Sequence, residues 1–147
     1  MSFQLSIAIF GSGISEPAHW GFCIHIPGEM EGELLHVRVI DVRLNIFQFE
    51  PRIPHDLESQ TAFGLCKLRN LNSAERSKVA SILAQEPAPR GGKENCQNWV
   101  VDALVALEVE ELVPDGTADI WNSRIGKESD DIKADVEDDY WFPLNER

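Results

Sequence analysis

The hydrophobic period of this 147-residue chain changes near residue 72, and that change limits the fold more than any other feature. Before it, apolar residues come in short runs rich in aromatic and β-branched side chains, broken by turn residues. After it, they recur at helical spacing. The first part predicts strands over Gln4–Phe10, Trp20–Ile26, Leu34–Ile40, Val42–Phe49 and Ala62–Leu68. Pro27-Gly28 breaks the second run, so the second and third runs are expected to pair as a hairpin. Pro51 and Pro54 are expected to end the fourth. Strands followed by helices predict an α+β fold.

Two helix starts are legible. Asn72-Ser73-Ala74-Glu75 has the form of a capping box, with Val79, Ile82 and Leu83 as the apolar face of the helix that follows. That helix should end near Gln85, before Pro87 and Pro89. Asn95 is a second N-cap, which puts Cys96 in the first turn of the next helix. Cys96, Val100, Ala103, Leu104 and Leu107 then share one face. A shorter helix is expected over Thr117–Arg124.

The length fits a single domain, read as residues 1–126. Residues 127–147 form an acidic segment with an aromatic end, Tyr140-Trp141-Phe142, expected to dock on the body or to serve a protein partner. No apolar run is long enough to cross a bilayer, and the first residues lack the form of a signal peptide. A cytoplasmic protein without stable membrane insertion is expected. The formal charge of −12 disfavours nucleic acid as a partner. Cys23, Cys66 and Cys96 are an odd number without regular spacing, so reduced thiols are expected rather than a disulfide framework. No zinc-type Cys/His spacing is present, and no metal or cofactor is expected.

Cys96 carries the chemistry. A thiol at a helix N-terminus faces free backbone N–H groups and the positive end of the helix dipole, which favour the thiolate. The same N–H groups can hold an oxyanion, and Asn95 and Gln97 are the supporting or oxyanion candidates. A base is needed beside it. His19 opens the first hairpin strand and His36 lies in the second. A loop over roughly His25–Met30 brings them opposite each other on one sheet face, as a base and its orienting partner. A tighter loop brings Asp41 there instead, so Asp41 is the reserve third member. His25 and His55 carry no pattern.

The segments His19-Trp20-Gly21-Phe22, Leu34-Leu35-His36-Val37 and Asn95-Cys96-Gln97-Asn98-Trp99-Val100 together resemble the lecithin:retinol acyltransferase-like group. That group is the circularly permuted branch of the NlpC/P60 papain-like superfamily. The pattern is also similar to short, mostly uncharacterised proteins of filamentous fungi. The resemblance spans about Pro17–Leu107. It implies a permuted papain-like fold, with an antiparallel sheet packed against the helix that carries the cysteine. It further implies Cys96 as nucleophile, His19 as base and His36 as orienting member.

The expected activity is that of a thiol-dependent hydrolase or acyltransferase. Its substrate is expected to be a small-molecule or peptide amide, ester or thioester, attacked to give a Cys-acyl intermediate. Gln97-Asn98 stand where acyltransferase members tend to have Glu and His, and no hydrophobic anchor is visible. Both features weigh against a phospholipid substrate. Two alternatives remain: a non-catalytic binding module on the same fold, and a lipid acyltransferase or phospholipase.

Overall fold

The computed structural model describes residues 2–11 and 17–145. Residues 12–16, between the first two predicted strands, therefore lie outside the described residues. The elements run β1 (Phe3–Phe10), β2 (His19–His25), β3 (Glu31–Asp41), β4 (Ile46–Asp56), β5 (Ala62–Leu71), α1 (Ser73–Gln85), α2 (Cys96–Val109), α3 (Thr117–Asn122), α4 (Ser129–Asp135) and β6 (Trp141–Pro143). The six strands form one antiparallel sheet in the order β4-β3-β2-β1-β5-β6. The fold is α+β. Among the described residues no helix is long and apolar enough to cross a membrane.

Alternation along the strands gives the sheet two buried faces. Trp20, Phe22 and Ile24 of β2 join Leu5, Ile7 and Ile9 of β1 in the main core, which α2 covers with Trp99, Val100, Ala103, Leu104 and Leu107. Trp20 meets Trp121 of α3 edge-on, with ring centroids 5.1 Å apart. The other face buries a smaller cluster of Ala8, Phe10, Cys23, Leu34, Leu57, Ala62, Leu65 and Leu144. β2 therefore sends its odd-numbered residues, His19 among them, to the face away from the main core.

Both helix starts form as their sequences predict. Asn72 and Glu75 complete a capping box at α1. Asn95 and Asn98 do the same at α2, where Asn98 takes the place usual for Glu or Gln.

The strand expected over Val42–Phe49 is displaced. β3 runs on to Asp41, residues 42–45 form the turn, and β4 starts at Ile46. Asp41 Oδ1 accepts the Leu44 N–H, and Asn45 takes a positive φ of 53°. These local turn bonds outweigh the apolar alternation, leaving Val42 83% exposed. β4 also continues through Pro51 and Pro54 to Asp56. It is an edge strand, where a missing N–H leaves no partner unsatisfied.

The acidic segment is built into the sheet and core. Ile132 of α4 and Val136 are buried in the main core. β6 pairs with β5 through Gly64↔Pro143, Leu65↔Phe142 and Cys66↔Trp141. The Trp141 ring lies against Gly64, in the space a side chain would need.

Candidate active site

The β2–β3 ladder closes at Phe22↔Leu35. Beyond that pair, among the described residues, β1 is the one strand that pairs with β2, with Phe10 opposite His19. The start of α2 comes in at this opening, and the backbone N–H groups of Trp20, Gln97 and Cys96 itself act on the Cys96 sulfur in favour of the thiolate.

His19 Nδ1 lies 3.1 Å from Cys96 Sγ. His19 Nε2 lies 3.0 Å from His36 Nδ1. His36 Nε2 lies 3.1 Å from Glu50 Oε1. One assignment of protons satisfies all three contacts. The thiol S–H donates to His19 Nδ1, His19 Nε2–H donates to His36 Nδ1, and His36 Nε2–H donates to the Glu50 carboxylate. The chain of bonds starts at the helix and ends on the third strand away, β4.

The hairpin loop covers residues 26–30 and the first pair beyond it is His25↔Gly32, so the register differs from the one expected. His25 faces Gly32 and Phe22 faces Leu35. His36 is therefore diagonal to His19 rather than opposite it, and stands against Gly21. A Cβ on Gly21 would lie 2.8 Å from the His36 Cβ. The bare backbone at Gly21 lets the second imidazole approach the first.

Glu50 is the member that sequence reading missed. It faces His36 directly across the β3–β4 ladder. Ending β4 at Pro51 left it at a strand terminus, without a partner. Arg38 Nε, 2.5 Å away, and Arg52 Nε, 2.8 Å away, also bind this carboxylate. The Arg52 hydrogen bond and then the His36 one draw the Glu50 pKa down to about 2. Asp41, the reserve third member, bonds the turn at the far end of β3 and is not in the relay.

Gln97 takes a supporting place. Its side-chain Nε2 donates to Ala18 O at 2.6 Å, and its Oε1 accepts Gly126 N–H at 2.8 Å. With both ends occupied and the residue buried, the amide ties the lead into β2 to the α3–α4 loop and is no oxyanion donor. The Asn95 side chain accepts the Gln97 N–H and so fixes the first turn of α2.

Burial sets the resting protonation. It lowers the His19 pKa to about 4, with His36 and Arg52 acting in the same direction. It raises that of Cys96 against the opposing effect of three backbone N–H groups. The resting pair is thus a neutral thiol donating to a neutral imidazole. Burial holds the other thiols high as well, Cys23 at about 12 and Cys66 at about 11. Among the thiols of the described residues, only that of Cys96 has an imidazole within hydrogen-bond reach.

A family model matches residues 5–114, about three quarters of the chain and all four members of the relay. The chain belongs to DUF6540, a family of unknown function. No curated protein and no solved structure matches it. In this DUF6540 protein the matched region runs from β1 to just past α2, so it also contains both sheet faces around His19.

Proposed function

We propose that this chain is a cysteine hydrolase or acyltransferase working through an acyl-thioester on Cys96. The unbroken series Cys96–His19–His36–Glu50 carries the reading. A merely structural cysteine has no need of a base, an orienting imidazole and an anchoring carboxylate in line.

In the forward step His19 Nδ1 takes the thiol proton as the sulfur attacks the substrate carbonyl carbon. A C–S bond forms, and the carbonyl oxygen becomes an oxyanion. The N–H groups of Trp20 and Cys96 are its donors, each such donor contributing roughly 3 kcal/mol at the transition state. The new imidazolium is stabilised through His36 by the charge of Glu50. Collapse breaks the bond to the leaving amine, alcohol or thiol, which takes the proton from His19. Water, or another acceptor, then gives a proton to His19 and attacks the thioester. Cys96 leaves as the thiol.

The permuted papain-like plan belongs to the same proposal. Its support is the chain order His19, His36, Cys96, together with a cysteine-bearing helix packed on an antiparallel sheet. A reduced, cytoplasmic setting would keep the nucleophile free.

The test is a pre-steady-state burst with 4-nitrophenyl acetate. The expected result is about one equivalent of nitrophenolate per chain, absent in Cys96→Ala and strongly slowed in His19→Ala. A wild-type trace without a burst favours the non-catalytic binding module.

A further inference from the structure

Beside the relay lies a recess of about 410 Å³. His19 and His36 line it, as do Arg52 and His55 of β4 and Ser59 and Thr61 of the turn that follows. The chain has 25 acidic residues against 13 Lys and Arg. No carboxylate is among the described residues lining this recess. Behind it, Glu50 is shared between Arg38 and Arg52, so one negative charge faces two guanidinium groups. The Asp56 charge is also felt at His55, although Asp56 does not line the recess. Arg52 uses Nε on Glu50 and is otherwise half-exposed.

His55 is buried and meets the Phe10 ring edge-on at 6.1 Å. Burial, Arg52 and His36 lower its pKa, so near neutral pH the ring offers one N–H and one bare nitrogen. A cationic guanidinium beside neutral hydrogen-bonding groups, in a half-enclosed recess whose described lining residues carry no acid, is the environment a carboxylate seeks.

We infer that this recess holds a carboxylate carried by the substrate, remote from the bond that is broken, with Arg52 as its charge partner and His55, Ser59 and Thr61 as neutral hydrogen-bonding groups. The word substrate rests on the function proposed above; the anion site itself does not. In that function the recess selects acidic acyl compounds over neutral ones of the same shape.

The probes are hexanoate and its neutral isostere hexanamide, titrated while the ring NMR signals of His55 are followed. Hexanoate is expected to shift them saturably and hexanamide is not. Arg52→Gln is expected to weaken the hexanoate response at least about tenfold, and Arg52→Lys to restore part of it. Hexanoate, and not hexanamide, is also expected to slow the Cys96 burst. Equal responses to the two wild-type probes overturn the inference without any variant, and so does an unchanged response in a folded Arg52→Gln protein. Inorganic phosphate displacing hexanoate at lower concentration overturns the carboxylate assignment in favour of a phosphate ligand. Hexanoate binding without any acylation of Cys96 overturns the proposed function and leaves the anion site standing.

Discussion

Glu50 and His36 face each other across the β3–β4 ladder, and the carboxylate reaches the imidazole at 3.1 Å. Glu50 touches neither Cys96 nor His19. It acts by fixing the tautomer of His36, which in turn presents Nδ1 to His19. Glu50→Gln is therefore expected to lower the acylation rate constant by about 10–100-fold. Because its ion pairs lie on an edge strand and are part-exposed, the melting temperature should fall by only a few degrees. A stopped-flow burst and a thermal melt on the same sample check both halves.

Gly21→Ala probes the close approach of the two imidazoles. The added methyl meets the His36 Cβ at 2.8 Å and Leu34 Cδ1 at 3.2 Å. Overpacking of this kind costs about 1–3 kcal/mol. The expected outcome is a modest loss of stability with a much larger loss of burst rate, since His36 must move. An equal loss in Gly21→Ala and in a remote core variant of matched stability would mean that His36 has no part in the relay.

Gln97→Leu removes both bonds of a fully buried amide. Ala18 O and Gly126 N–H then lose their partners, at a cost of about 1–3 kcal/mol each where water cannot replace them. Denaturant unfolding should show the midpoint falling. An unaltered midpoint would contradict the clamp.

The relay residues and the acidic segment show how much was legible. The helix-start position of Cys96 followed from Asn95 alone, because capping chemistry is local. The pairing of His19 with His36 needed only that both lie on one face of a hairpin, so it survived a register error. Glu50 was not legible, because its role depends on a strand that runs through two prolines. An edge strand allows that, but edge position is set by the whole sheet. The docking of the aromatic end was legible, but the burial of Ile132, Val136 and Leu144 within the acidic segment was not, because isolated apolar residues among many charges carry no periodic signal.

The histidines make stability depend on pH. His19 has a pKa of about 4 in the fold, and those of His25, His36 and His55 are also lowered, mainly by burial. Unfolding returns them to about 6.5. Between about 4 and 6.5 the unfolded chain binds more protons, so stability is full above that window and is lost as pH falls through it. His19 alone accounts for about 2 kcal/mol between pH 7 and pH 5. Glu50 works lower, losing its contribution only as pH falls from about 4.5 toward 2. The melting temperature is expected to drop by several degrees from pH 7 to pH 5. A flat profile would contradict the buried, neutral His19.

The central claim is that Cys96 becomes acylated with His19 as its base. Intact mass spectrometry of protein quenched in acid during reaction with 4-nitrophenyl acetate tests it most directly. One added acetyl group is predicted, mapped by peptide analysis to Cys96, labile to hydroxylamine, absent in Cys96→Ala and greatly reduced in His19→Ala. An unmodified wild-type mass, or an adduct that persists in Cys96→Ala, would contradict the account.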